Sequence, residues 1–159
     1  MVGMISVVIP PGTRLELSHL VCDFNGTLAV DGVLLPGVKE RLRMLADQFT
    51  IHVLTADTYG GAREKLAELP VSAVVLPADR QTERKSDYVC ELGADHVVAI
   101  GNGGNDSAMV ESAAMGMCVV QNEGASVTSV MVADIVCMSI TDALDMLIQP
   151  TRLVATLRV

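Results

Sequence analysis

Leu20-Val21-Cys22-Asp23-Phe24-Asn25-Gly26-Thr27-Leu28 is the stretch whose reading decides the fold. An apolar run delivers one carboxylate at its end, and Asn-Gly-Thr then turns the backbone away. Asp23 is therefore expected at the carboxyl end of a buried strand, the edge where open α/β sheets place their chemistry. Working outward, residues 50–54, 71–76, 96–100, 117–120 and 134–138 also read as strands. Between them, residues 36–48, 61–69, 83–92, 106–115 and 141–148, with a short segment from about Ser126, carry helical spacing. Strand-helix alternation of this kind implies right-handed βαβ units, hence an α/β fold with a doubly wound parallel sheet and helices on both faces.

Upstream, residues 5–9, the Pro10-Pro11-Gly12 turn and residues 14–17 read as a small β-hairpin beside the main sheet. Residues 28–36 read as a loop, with Asp31-Gly32 as a β-turn. The tail from Thr151 to Val159 has no decisive period and is open between helix and strand.

The chain's 159 residues fit a single domain, 1–159, with its core at about 18–148. Half of the residues are apolar and only 3% aromatic, so the core must be aliphatic, as buried parallel strands require. A net charge of −8 leaves no basic footprint for nucleic acid or an anionic membrane. Two Tyr, two Phe and no Trp offer no platform for base stacking. Cys22, Cys90, Cys118 and Cys137 form no Cys-x-x-Cys pair, which argues for reduced thiols. The N-terminal apolar run has no positively charged start and stops at Pro10, and no run reaches the ~18 apolar residues of a membrane span. A soluble cytoplasmic protein is expected.

Three further stretches carry chemistry. Ile51-His52-Val53-Leu54-Thr55-Ala56 ends an aliphatic strand in a hydroxyl that could bond a phosphoryl oxygen, with backbone N–H groups of the next turn as an anion nest. Taken alone, such a Thr is an ordinary local cap. Lys85, on the helix before the strand at 96–100, reads by itself as one more solvated lysine among Glu83, Arg84 and Asp87. Gly101-Asn102-Gly103-Gly104-Asn105-Asp106 joins a strand to a helix through clustered carboxylate and amide oxygens, the donors a hard cation needs beside phosphate. His52, inside an aliphatic strand, reads as a satisfied core histidine, and Cys22 should face away from Asp23.

Asp-x-Asn-Gly-Thr, the strand ending in Thr55, Lys85 and Gly-Asn-Gly-Gly-Asn-Asp resemble, in order, the four motifs of the haloacid dehalogenase (HAD) superfamily. The resemblance covers Leu20 to about Met138 and is strongest to cap-less soluble P-type ATPase-like members. It implies that Asp23 is a nucleophile phosphorylated during turnover. Thr55, Ala56, Lys85 and Asn105 would hold the phosphoryl group, and Mg²⁺ would sit among Asp23, the backbone carbonyl of Asn25, Asp106 and Asn102. The partner would be a phosphorylated small molecule or phosphoprotein, and a cap-less subunit either takes a large substrate or has its site closed by a neighbour in a homo-oligomer, dimer or tetramer, the arrangement favoured here.

Two letters depart from the family pattern. Asn25 stands where the general acid–base Asp is usual, and an amide can neither give nor take the proton, a loss of ~10²–10⁴-fold. Asn102 replaces an acidic metal ligand. The span from Asp23 to Thr55 leaves no room for the nucleotide-binding domain of an ion pump. The expected function is a slow Mg²⁺-dependent phosphohydrolase, the alternative a non-catalytic Mg²⁺- and anion-binding or assembly subunit.

Overall fold

The computed structural model describes residues 3–57 and 60–159. Met1 and Val2 of the N-terminal run, and Thr58 and Tyr59 of the turn after Thr55, lie outside the described residues. In chain order, β1 (Ile5–Ile9) and β2 (Thr13–Leu17) form an antiparallel hairpin, and β3 (His19–Asp23) follows directly. Then come β4 (Ala29–Val30), β5 (Val33–Leu34), α1 (Val38–Leu45), β6 (Thr50–Thr55), α2 (Ala62–Leu66), β7 (Ser72–Val75) and α3 (Gln81–Leu92). The rest is β8 (Val97–Gly101), α4 (Ser107–Ser112), β9 (Met115–Val119), α5 (Val127–Val132), β10 (Ile135–Cys137), α6 (Ile140–Ile148) and α7 (Thr151–Leu157).

The main sheet is six-stranded and parallel, in the order β10-β9-β8-β3-β6-β7. The chain winds outward from β3 through β6 to β7, then crosses back to lay β8 on the other side of β3. That reversal opens a crevice beyond the carboxyl ends of β3 and β8, where such sheets bind ligands. Side-chain alternation divides the core: Leu20, Cys22 and Phe24 pack with Leu42, Leu66, Leu144 and Leu153, while Val21 packs with Val89, Met109 and Val110. So α1, α2, α6 and α7 cover one face, α3 and α4 the other. Neither the β3–α1 nor the β6–α3 connection carries a cap domain among the described residues.

Three segments differ from the sequence reading. Residues 28–36 are not a plain loop but a β4–β5 hairpin, because Asp31 (φ 52°) and Gly32 (φ 79°) both take the left-handed conformation that primed two-residue turns require. Helix α1 starts at Val38, not Pro36, since Gly37 stands before it at φ 85°. Met115 begins β9 rather than ending α4: it pairs with Val98, and at Gly116 a Cβ would stand 2.1 Å from the Val110 carbonyl oxygen. Helix and strand are packed too closely there for the helical-looking Ala113-Ala114-Met115 run to continue. The tail resolves as a helix, with Leu153 fully buried. Among the described residues no helix is long and apolar enough to cross a membrane.

Candidate active site

Asp23 is the last residue of β3, and the chain leaves it through a turn in which the Thr27, Leu28 and Ala29 amides all donate to the Phe24 carbonyl. Gly26 (φ 87°) donates its N–H to the Ala29 carbonyl at 2.6 Å. Here the first loop meets the loop after β8: a Cβ on Gly26 would lie 2.7 Å from either terminal atom of Asn102, so only glycine allows the approach. Thr27 joins the two loops, its hydroxyl donating toward Asp23 Oδ2 and Asn102 Oδ1 at 3.3 Å each.

Lys85 reaches this point from α3. Its Nζ donates to Asp23 Oδ1 at 3.0 Å, Asp106 Oδ1 at 2.8 Å and Asn105 Oδ1 at 3.3 Å, which uses all three ammonium hydrogens. Lys85 is 2% exposed, Asp23 8% and Asp106 0%, so the three charges are held out of water. Burial pushes the Asp23 carboxyl up and the Asp106 charge adds to it, against the pull of Lys85 and Thr27; the balance stands at about 7. Burial alone would lower the Lys85 ammonium, but the flanking carboxylates of Asp23 and Asp106 outweigh it and hold its pKa above the ordinary lysine value. Cys22, on the opposite face, is a buried thiol pushed up by burial and by the Asp23 charge.

The remaining oxygens are held by backbone. Asp106 Oδ2 accepts from the Asn102 and Gly103 amides at 3.0 and 2.9 Å. Both of its oxygens are thereby engaged, and the side chain does not line the cavity. Thr55 ends β6, and its hydroxyl accepts the Asp57 N–H at 2.9 Å. Asn25 lines the cavity but turns its Oδ1 to the Gly32 N–H at 3.0 Å, while Lys65 donates to the Gly32 carbonyl, so the β4–β5 turn is gripped from two sides.

The cavity measures about 350 Å³ and is lined by Asp23, Asn25, Thr55, Ala56, Lys85, Asn102 and Asn105, together with Ala78, Gln81, Gly103 and Glu123. Of the residues expected at the site, Asp106 alone lies behind the wall. Thr27 was given no role in the sequence reading although it lies inside the first motif. Gln121, also missed, donates from Nε2 to the Gly26 and Thr27 carbonyls at 3.2 and 2.7 Å and accepts the Ile140 N–H at 2.8 Å. Its only sequence signal is a polar residue just past a buried strand. His52 is remote from the cavity: its ring nitrogens meet Tyr88 Oη at 2.8 Å and His19 Nδ1 at 3.1 Å.

Among the described residues no three His, Cys, Asp or Glu side chains are grouped to hold a metal. Asp23 Oδ2 and Asn102 Oδ1, both within 3.3 Å of the Thr27 hydroxyl, do converge at the cavity floor. One carboxylate and one amide oxygen are hard donors that fit Mg²⁺, with further oxygens needed to complete its shell.

Fold and site together define a cap-less haloacid dehalogenase-fold protein. No family model matches the chain. Among solved structures, 3-deoxy-D-manno-octulosonate 8-phosphate phosphatase from Moraxella catarrhalis, in complex with magnesium, phosphate and KDO, has a TM-score of 0.69 at 16% identity. The match covers 89% of this chain and 94% of that one. A HAD superfamily (subfamily III A) hydrolase from Legionella pneumophila also gives 0.69, at 13% identity over 89% and 87% of the chains. The chain belongs to the family of an uncharacterized protein of Methanocaldococcus jannaschii, to which it is 45% identical over 62 residues, 39% of this chain and 67% of that protein. It is also 33% identical over 97 residues to a probable copper-transporting ATPase of Arabidopsis thaliana, 59% of this chain but 10% of the ATPase.

Proposed function

We propose that the chain is a Mg²⁺-dependent phosphohydrolase that forms an aspartyl phosphate on Asp23. The observation that carries this reading is the Lys85 ammonium bridging Asp23 and Asp106 at the floor of a cavity that also presents Thr55. A bare buried carboxylate would repel a phosphate; Lys85 offsets part of that repulsion. Mg²⁺, held by Asp23, Asn102 and the Asn25 carbonyl, would supply the remaining positive charge and orient the phosphoryl oxygens. Asp106 is assigned a different role from the direct ligation expected of it: it fixes Lys85 and the loop after β8.

In the first step an Asp23 oxygen forms a bond to phosphorus as the bond to the leaving oxygen breaks, and that oxygen takes its proton from water. In the second, water attacks the phosphorus, the bond to Asp23 breaks, and inorganic phosphate leaves. Thr55, Ala56 and Asn105 bind the phosphoryl oxygens in both. Asn25 can donate a hydrogen bond but cannot exchange a proton, so esters with poor leaving groups turn over slowly.

One observation favours a second reading, Mg²⁺ and anion binding without turnover: Asn25 Oδ1 is committed to Gly32. Incubation with acetyl phosphate and Mg²⁺, followed by acid quench and mass spectrometry, separates the two. A phosphoryl adduct on Asp23 is expected; its absence alongside Mg²⁺-dependent phosphate binding by calorimetry would leave the binding reading in its place.

A further inference from the structure

One wall of the cavity is a tight turn that the motif loops hold from both sides. Gln121 and Gly124 close it through an antiparallel bridge, with Gly124 at φ 69° donating to the Gln121 carbonyl at 2.8 Å. The Gln121 amide clamps the turn to Gly26 and Thr27, and Asn102 Nδ2 donates to the Gly124 carbonyl at 3.2 Å. The turn therefore does not drift with solvent; it is fixed to the two loops that carry the chemistry. Between those anchor points stands Glu123, exposed and lining the cavity. Among the described residues no cation is within ion-pair distance of it.

The positive side of the cavity is already used up. Lys85 is the single cation among the described lining residues, and its three hydrogens go to Asp23, Asp106 and Asn105. Nearby, Arg84 pairs with Asp79 and Lys65 with the Gly32 carbonyl, while Arg80, exposed between Ala78 and Gln81, stands outside the lining. A substrate's phosphoryl end can be received by the chemistry described above, but a second anionic group on the same molecule meets no second cation among the described lining residues and faces the Glu123 charge.

Resting on the phosphohydrolase reading, we infer that Glu123 biases specificity: the site prefers phosphate esters of neutral or cationic alcohols over those that carry a second anion. This sets the chain apart from its structural neighbour in Moraxella catarrhalis, whose named substrate is an octulosonate, a sugar carboxylate. At the separations a cavity of this size allows, one like charge near the surface corresponds at low ionic strength to roughly five- to tenfold in affinity.

The test is calorimetric binding to the full chain with Mg²⁺ at fixed pH and ionic strength, using glycerol phosphate, phosphoethanolamine and phosphoglycolate. Phosphoglycolate is expected to bind roughly five- to tenfold more weakly than glycerol phosphate, and phosphoethanolamine at least as well. The gap should close in Glu123→Gln and reverse in Glu123→Lys; Glu123 is exposed, so both variants keep the fold. Equal binding of the three by the unaltered protein, or a gap that survives Glu123→Gln, overturns the inference. Selective binding without phosphate release would leave it standing and remove the hydrolase. Turnover without selectivity would do the reverse, and no binding of any ester would remove both.

Discussion

Buried polar groups gather at both ends of β3, and helix α3 touches both gatherings. At the carboxyl end Lys85 joins Asp23 and Asp106; one helical turn further along, Tyr88 meets His52, which meets His19 near the amino end. The first set is charged and borders open volume, with Asp23, Lys85 and Asn102 in the cavity lining. The second is neutral: burial, with a smaller push from His19, lowers His52 to about 4, and its ring nitrogens are spent on protein partners. Both arrangements satisfy their hydrogen bonds, so satisfaction is not what marks a candidate site. A buried charge facing a cavity is.

The severest break in the charged end is Asp23→Asn. Removing the proposed nucleophile is expected to lower acetyl phosphate hydrolysis by more than ~10⁴-fold and to abolish the adduct. Phosphate release that persists in that variant would move the chemistry off β3. Lys85→Met leaves two buried carboxylates facing each other without their cation. Destabilisation of ~3–5 kcal/mol in urea without metal is expected, with partial recovery in Mg²⁺. An unchanged urea midpoint would mean the ammonium is not structurally coupled to either carboxylate.

Asn25→Asp sharpens the comparison by restoring a proton carrier at the charged end. Hydrolysis of alkyl phosphates is expected to rise ~10²-fold, while acetyl phosphate gains little in the phosphorylation step. Burst kinetics separate that step from water attack, which gains for both. A folded, Mg²⁺-binding variant that still ignores alkyl phosphates would shift the balance to binding without turnover.

The smallest effect is expected at the neutral end. Unfolded His52 takes up a proton below its ordinary 6.5, whereas folded His52 resists until about 4. Between those values the unfolded chain holds more protons. The stability contributed by keeping His52 neutral is therefore complete above pH 6.5 and declines as pH falls, by ~2 kcal/mol at pH 5. Urea midpoints at pH 7 and pH 5 should converge in His52→Gln relative to the unaltered protein. If the two proteins lose stability in parallel, another group titrates instead.

The strand ending in Asp23, the alternation that follows it and the bland reading of His52 were legible because each rests on local pattern, apolar runs and their interruptions. Asp23, Thr55, Lys85 and Asn105, which motif order groups, line one cavity in the fold. What stayed hidden depends on contacts across the chain. Nothing local says that Gln121 will clamp Gly26 and Thr27, or that Asp106 will spend both oxygens on Lys85 and two amides. The β4–β5 hairpin lay between the two cases: Asp31-Gly32 announced the turn, but two residues of pairing on either side are too few to signal strands.

The bonds that position the two loops also bear on how the protein ages. Asn25-Gly26 and Asn102-Gly103 are the sequence most prone to spontaneous deamidation, in which the glycine nitrogen attacks the asparagine side-chain carbonyl and ammonia is lost. In the fold, Gly26 N–H is bonded to the Ala29 carbonyl and Gly103 N–H to Asp106 Oδ2, while the Asn102 amide nitrogen is tied to Gly124. Both attacking nitrogens are thus occupied, and conversion is slow while the chain is folded. Partial unfolding releases them, and the succinimide that forms opens to isoaspartate and, in the smaller share, to aspartate, the residue the haloacid dehalogenase motifs ordinarily carry. Under the phosphohydrolase reading, an old preparation is therefore expected to contain a minor fraction that turns over alkyl phosphates faster than fresh protein does.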